Sequence, residues 1–301
     1  TLRIGSLTNT GNMNVSAAIN PTGVTTLSLE TGGNVTQTGA ITETNLAVKA
    51  LGNVTLDLAN SVTNLAALVG NGSNQNKNFI FKNTPALNVA SGLDGVNGIS
   101  ISLDASSYNS ASPNGVISLT SGGLLSQADN ATALLAGKAA YLEGSSVDFG
   151  SVTGANKLNP LGTIAGKATA GSTATFSFKS NNPIYISTVR DATWADFSGI
   201  SASGATSVNA VKLNSPTSAT AGVSQGTTAP IVSGGTGGLA ILTSGEVSLS
   251  AVTNSMNKLD VDLSGSTGKS VLFKNAGSFD VVAINPGTPS SATKLEFEAV
   301  T

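Results

Sequence analysis

The sequence predicts an all-β protein folded as a parallel β-helix, also called a β-solenoid. Charged residues make up only 10% of the 301 residues, while Gly alone accounts for 35. Such a chain, rich in small residues and poor in helix formers, suits pleated strands and tight turns better than helices. Apolar and polar residues also alternate in short segments, and related segments recur along the chain. This self-similarity favours stacked, similar coils.

The predicted strands have a period of two. Segments 54–58, 99–103 and 259–263 each place aliphatic side chains on one face and Ser, Thr or Asp on the other. Gly, Asn and Pro separate such segments. A β-sandwich or barrel would contain similar strands, so the preference for a β-helix rests on the repeat.

The repeat is clearest in three segments in which an apolar pair is followed by Lys and a small polar residue: 79–83, 176–180 and 271–275. The second apolar positions are Phe81, Phe178 and Phe273, which are 97 and 95 residues apart. We therefore expect 1–301 to be a single continuous solenoid segment of about three degenerate repeats of roughly 96 residues. Inserted loops are expected near 104–115 and 213–238, which are rich in Ser, Thr, Gly, Asn and Pro.

This alignment predicts where the matched side chains lie. The three Phe residues should point into the core and recur on one wall of the solenoid. The polar residues that follow should lie at a corner, where a short polar side chain can bond the turning backbone. These corner residues are Asn83, Ser180 and Asn275.

Composition excludes several functions. A net charge of −2 with 14 basic residues predicts no binding to nucleic acid. With no His and no Cys, the chain cannot form a Ser-His-Asp triad, a Cys-His pair or an ordinary zinc site. We expect no metal and no cofactor. No apolar run is long enough to span a membrane, and the opening segment, with neither Met nor a signal peptide, is interpreted as an excerpt of a longer protein.

The chain resembles the repeats of filamentous-haemagglutinin-type bacterial exoproteins. The segments that carry the resemblance are 52–56, 61–67, 79–83, 87–89, 95–99 and 122–127. The resemblance implies a right-handed β-helix that forms the stalk of an adhesin. It also implies two-partner secretion through an outer-membrane transporter to the extracellular space or cell surface, with a host-cell or matrix receptor or glycan as a further partner. It implies no catalytic residue.

Two groups of residues are candidate sites. Arg190, Trp194 and Asp196 could contact a glycan, because a Trp beside charged groups can stack on a sugar whose hydroxyls those groups bind. The alternative for Trp194 is a local plug under a loop. Lys258, Asp260 and Asp262 share one strand face, as the carboxylates of a solenoid glycan-degrading enzyme would. The alternative is a solvated face of paired charges.

Three functions follow from these alternatives. The preferred hypothesis is a structural stalk or filament segment of a secreted or surface adhesin, acting in attachment or display, without enzymatic activity. The second hypothesis is a surface-array or self-assembling filament subunit. The third is a β-helix enzyme that degrades polysaccharides.

Overall fold

The computed structural model describes residues 1–129, 131–150, 159–190, 193, 195–216, 222–263, 266–288 and 293–300. Over these residues the protein is all-β, with 31 strands, one 3-10 turn at Gly171–Thr173 and no α-helix. The chain forms two compact units. The described residues of the first unit come from Thr1–Gly144 and Arg190–Asp196, and those of the second come from Ser145–Thr153, Leu158–Val189 and Phe197–Thr301. One continuous solenoid over 1–301 stays a prediction.

The first unit contains fifteen strands in sequence order. They are β1 (Leu2–Ser6), β2 (Met13–Val15), β3 (Thr26–Thr31), β4 (Val35–Gln37), β5 (Thr42–Ala50), β6 (Val54–Val69), β7 (Phe79–Asn83), β8 (Leu87–Val89), β9 (Ser91–Leu93), β10 (Val96–Asn97), β11 (Ile99–Ile101), β12 (Val116–Ser121), β13 (Leu125–Gln127), β14 (Leu135–Ala136) and β15 (Ala139–Gly144).

The remaining strands follow the same sequence order. They are β16 (Val147–Phe149), β17 (Thr163–Ala168), β18 (Phe176–Lys179), β19 (Ile184–Ile186), β20 (Thr188–Arg190), β21 (Asp196–Ser198), β22 (Ile200–Ala202), β23 (Val211–Ser215), β24 (Val223–Gln225), β25 (Ile231–Ser233), β26 (Gly238–Thr243), β27 (Val247–Asn254), β28 (Lys258–Asp262), β29 (Val271–Ala276), β30 (Asp280–Asn285) and β31 (Leu295–Val300). Strands β20 and β21 form a separate two-stranded sheet.

Parallel ladders organise the first unit. In one ladder Leu2, Leu27, Leu46 and Leu65 are successive register partners, 25, 19 and 19 residues apart. A second ladder runs from β4 through β6, β7 and β12 to β15. Because each strand pairs with a strand one turn of chain away, each turn is a coil that stacks on the next. This arrangement is consistent with a β-solenoid.

The second unit has the same organisation. One ladder joins β16, β18, β23, β26, β28 and β30, and another joins β19, β24, β27, β29 and β31; all pairs are parallel. Coil length varies more here, from 20 residues between Leu239 and Leu259 to 39 between Ile184 and Val223. The ladders therefore tolerate loops of very different length.

Alternation along the strands fills the interior. In β6, Val54 and Leu56 are fully buried while Asp57 is exposed, so one face supplies the core and the other meets solvent. Phe81, Phe178 and Phe273 are all buried, as the sequence predicts. Aliphatic and aromatic side chains from stacked coils thus form the hydrophobic core of each unit.

Buried asparagines form one type of corner. The Asn60 Oδ1 accepts the Ile41 N–H at 2.8 Å, and its Nδ2 donates to the Lys82 carbonyl at 3.0 Å, so this side chain joins three successive coils. Asn254 makes the equivalent bonds to Ile231 and Lys274 in the second unit. The side chain therefore supplies the bonds that the turning backbone cannot make with itself.

A reciprocal glutamine strengthens this corner in both units. Gln37 and Asn60 exchange two amide hydrogen bonds of 3.0 Å each. Gln225 and Asn254 exchange two of 3.0 and 3.1 Å. These pairs are buried, so each amide group of the interior has its partner inside the protein.

Asn83 and Asn275 continue the same corner in the adjacent coils. Asn83 accepts the Val62 N–H and donates to the Val62 carbonyl, and Asn275 binds both backbone groups of Met256 in the same way. Their predicted corner position is therefore confirmed.

Serine and threonine form a second type of corner. Ser180 donates to the Leu161 carbonyl at 2.8 Å and accepts the Asn182 N–H at 2.9 Å. Thr243 donates to Ser215 and accepts the Gly245 N–H with the same pattern. Ser180 thus lies at a corner, as predicted, but this corner is not the asparagine corner.

The prediction that the three Phe residues share one wall is wrong. Phe178 pairs with Phe149 and Leu213 in the β16–β18–β23 ladder. Phe273 pairs with Leu249 and Phe297 in the β27–β29–β31 ladder of the same unit. The alignment joined two corner types, because a strand ending in Lys and a small polar residue occurs before both. The roughly 96-residue repeat therefore does not describe the stacking within the second unit.

The predicted loop over 213–238 is also corrected. Strands β23, β24 and β25 and the first residue of β26 lie in this range and pair with neighbouring coils. Residues 217–221 lie outside the described residues. The polar composition reflects the outward faces of short strands. Segment 104–115 contains no strand and lies between β11 and β12.

We predict that Phe178→Ala lowers the free energy of unfolding of the second unit by roughly 3–5 kcal/mol, because it leaves a cavity between Phe149 and Leu213. Lys179→Ala, the neighbouring control, should change it by less than about 0.5 kcal/mol. Denaturant unfolding with hydrogen exchange of β16, β18 and β23 measures both. Equal effects of the two substitutions would contradict the burial of Phe178.

We predict that Asn60→Ala lowers the free energy of unfolding of the first unit by roughly 3 kcal/mol, because the Ile41 N–H and the Gln37 amide lose their buried partner. Asn88→Ala is the matched control. Asn88 lies in β8 and is only half-buried, so its loss should cost about 0.5 kcal/mol or less. Comparable losses for the two variants in denaturant unfolding would show that the buried corner has no special role.

Candidate functional site

The predicted glycan-contact residues Arg190 and Asp196 lie together. The Arg190 Nε and Nη2 donate to the two Asp196 carboxylate oxygens at 2.5 and 2.7 Å. Hydrogen bonding by Arg190 holds the pKa of Asp196 below its usual value. The Tyr108 hydroxyl accepts the Arg190 backbone N–H at 2.7 Å. Trp194 lies outside the described residues. The two charged groups are thus engaged with each other, which leaves fewer of their bonds for a sugar.

The predicted charged face of β28 is present. Lys258, Asp260 and Asp262 are partly exposed and alternate with the buried Leu259 and Val261. A groove of about 180 Å³ beside the two carboxylates is also lined by Lys212, Asn209 and Ala240–Leu242. The Asn285 Nδ2 donates to Asp262 at 3.1 Å. This outer face carries both charge signs, in agreement with a solvated surface.

A hairpin on the outer face of the first unit is not predicted by the strand pattern. It consists of β9 and β10, which pair antiparallel around Asp94 and Gly95. Both turn residues have positive φ, 47° and 79°. Asp-Gly at these positions is the signature of a tight hairpin turn, so this local signal could have identified it. The hairpin is inserted between β8 and β11.

The hairpin packs across neighbouring coils. Val96 is buried against Ala47 and Ala66, and Leu93 packs beside them. Ala47 and Ala66 are register partners in β5 and β6, and their small side chains leave room for the hairpin. It therefore covers the outer face of two stacked strands.

Four charges hold the hairpin tip. The Arg3 Nη2 and Nε bind Asp94 at 2.6 and 3.0 Å, and the Lys49 Nζ lies 3.2 Å from Asp94 and 2.9 Å from Glu30. The Arg3 hydrogen bonds hold the pKa of Asp94 well below its usual range, and Lys49 adds to the effect. Because Arg3, Glu30 and Lys49 belong to β1, β3 and β5, the network joins three successive coils to the hairpin.

A polar cleft of about 310 Å³ also opens in the first unit. Seven residues of chain lead from Ile19 to Thr26, but only four lead from their partners Ile41 to Asn45. The longer connection bulges away from the next coil and leaves a depression beside it. The residues that line the cleft are Asn20, Pro21, Val24, Thr42, Glu43, Thr44, Ser61 and Thr63.

Glu43 is the unusual member of this cleft. Only 8% of the residue is exposed, and its register partner in the next coil is the fully buried Val62. The Glu43 Oε1 accepts the Thr44 N–H at 2.9 Å, whereas the buried Oε2 has no hydrogen-bond partner. Glu43 also forms no ion pair with any described residue. Strand alternation could have placed this carboxylate inside, but nothing in the sequence shows that it lacks a partner.

The described residues contain no group of three or more acidic residues arranged to hold a metal ion. In the same part of the chain, no helix is long and apolar enough to cross a membrane. Comparison with known proteins found no matching family model, no matching curated protein and no matching solved structure. The resemblance to filamentous-haemagglutinin-type repeats therefore rests on the sequence segments alone.

We predict that Asp94→Asn lowers the melting temperature at pH 7 by about 2–4 °C, because it removes the charge that Arg3 and Lys49 bind. A depressed folded-state pKa contributes stability above the unfolded value of about 3.9, and this stability is lost as the pH falls below it. The difference between the wild type and the variant should therefore shrink toward pH 2. Thermal melts at pH 7 and pH 2–3 test this, with the exposed Asp57→Asn as control. A constant difference across this range would contradict the ion-pair explanation.

Proposed function

We propose that this chain is a stalk segment of a secreted or cell-surface bacterial adhesin, built as a right-handed β-helix of the filamentous-haemagglutinin type. Two-partner secretion through an outer-membrane transporter and a host-cell or matrix receptor belong to the same proposal. The sequence resemblance supports these partners. The architecture of stacked parallel coils supports the structural role.

One observation carries the proposal: buried corner side chains bind backbone groups of the coils on both sides. Asn60 joins the coils of Ile41 and Lys82. Asn254 does the same for Ile231 and Lys274. Such bonds run along the stacking direction and add to the ladder bonds between strands. A coil held this way resists separation from its neighbours, which is what a load-bearing or display segment needs.

The outer surface fits the same role. The loops between strands differ greatly in length, from the tight corner at Asn83 to the strand-free segment 102–115. Because the ladders carry the fold, these loops can change without loss of the framework. An adhesin stalk uses this freedom to present different surfaces on one scaffold.

A glycan-degrading enzyme is the weaker alternative. Its best candidates, Asp260 and Asp262, lie on an exposed strand face. A general acid of a glycosidase needs a raised pKa, which usually comes from burial or from a like charge. Partial exposure of both side chains does not favour that role.

A display experiment tests the proposal. The chain is inserted between a cell-surface anchor and a terminal peptide tag on a bacterium, and antibody binding to the tag is measured before and after trypsin. We expect the tag to be displayed and most of it to survive trypsin, because cleavage sites in paired strands are protected. A Gly/Ser-rich linker with the same number of Lys and Arg residues is the control. Tag loss as fast as with that linker would contradict a stalk role.

Two further measurements separate the alternatives. Release of reducing ends from a panel of polysaccharides by the purified chain would contradict the stalk proposal in favour of an enzyme. Electron microscopy of the same preparation would show ordered lattices or fibres if the chain were a self-assembling subunit. We expect neither turnover nor ordered assemblies.

A further inference from the structure

The cleft around Glu43 contains a residue that the framework itself does not need. Strand alternation places Glu43 among interior-facing positions, and the equivalent position of the next coil holds Val62. An apolar side chain at position 43 would satisfy the same packing. A buried carboxylate without a partner instead destabilises the fold. Local rules of this kind are broken most often where a protein binds something.

The chemistry of the lining indicates the ligand. Asn20 contributes an amide, and the hydroxyl residues Thr42, Thr44, Ser61 and Thr63 surround the carboxylate. These groups both donate and accept hydrogen bonds, and they present no positive charge. Pro21 and Val24 add small apolar surfaces. Such a lining matches a ligand with many hydroxyl groups and a weakly apolar ring face.

We propose that this cleft binds a neutral or amino-bearing sugar unit of a glycan. The site is separate from the stalk role and does not depend on it. A cleft of about 310 Å³ can take one or two sugar rings, at the lower end of the usual size for small-ligand sites. The sugar hydroxyls donate to the Glu43 carboxylate and exchange bonds with the surrounding Thr and Ser hydroxyls.

Binding requires only a small movement of Glu43. Its Oε2 lies beneath the surface of the cleft and makes no hydrogen bond. Turning this oxygen toward a ligand therefore breaks no bond to it, while the ligand supplies the partner that it lacks. The energy gained on binding includes the relief of this unpaired group.

A hard cation fits the cleft less well. Calcium takes six to eight oxygen ligands and normally several carboxylates, whereas Glu43 is the only carboxylate that lines this cleft. An acidic sugar is disfavoured for a different reason, since its carboxylate would face that of Glu43. These two ligand classes are therefore used as counter-tests.

Glu43→Gln separates a binding role from a structural one. The amide keeps the shape and the acceptor for the Thr44 N–H but removes the buried charge. We expect the melting temperature of the ligand-free protein to rise by about 2–4 °C. A purely structural carboxylate would show the opposite sign. Asp57→Asn in the same unit is the control, because Asp57 is exposed and does not line the cleft.

The binding test uses four probes with the whole chain: D-galactose, D-glucosamine, D-glucuronate and Ca²⁺. Saturation-transfer NMR and calorimetry should show binding of the first two sugars, with affinity for D-glucuronate at least about tenfold weaker because of charge repulsion. Glu43→Gln should weaken the binding of D-galactose and D-glucosamine at least about tenfold, and Asp57→Asn should leave it unchanged.

Three outcomes would overturn the proposal: no binding of either sugar by the wild type, equal binding by Glu43→Gln, or binding of Ca²⁺ alone. None of these bears on trypsin resistance of the displayed tag. Failure of the sugar site and failure of the stalk role are therefore distinguishable.

Discussion

The buried hydrogen bonds of the corner asparagines are the interaction on which the rest of the structure depends. A stacked coil must turn several times, and at each turn backbone groups leave the ladder and face the interior. Asn60 satisfies groups in the coils on both sides of its own, and Gln37 satisfies its amide in return. Because the same arrangement recurs at Asn254 and Gln225, each unit can carry a dry core between polar corners.

This constraint leaves the outer surface free to vary. The ladders continue in register whether successive partners are 19 or 39 residues apart, since only the strands and corners must match. Insertions then acquire their own contacts with the coils. The hairpin at Asp94 packs Val96 on two stacked alanines and binds charges from three strands, so it stiffens the surface that it covers.

Glu43 and Asn60 show opposite uses of a polar interior residue. Asn60 has all of its side-chain groups bonded inside the protein, and this makes the corner specific. Glu43 has a carboxylate oxygen without a partner beside a polar cleft, so its position is explained by something that the cleft receives. The same fold thus contains a polar group that completes the scaffold and another that the scaffold leaves incomplete.

Local pattern by itself determined the strands, the burial of Phe81, Phe178 and Phe273, and the corner roles of Asn83, Ser180 and Asn275. These features depend on alternation and on short polar side chains, which act over a few residues. Which wall each Phe occupies depends on the tertiary structure, because coil length decides which strands stack and the spacing of similar motifs does not reveal it. The Glu43 cleft was decided in the same way: three additional residues between Ile19 and Thr26 open it, and only stacking against the shorter next coil turns that length into a cavity.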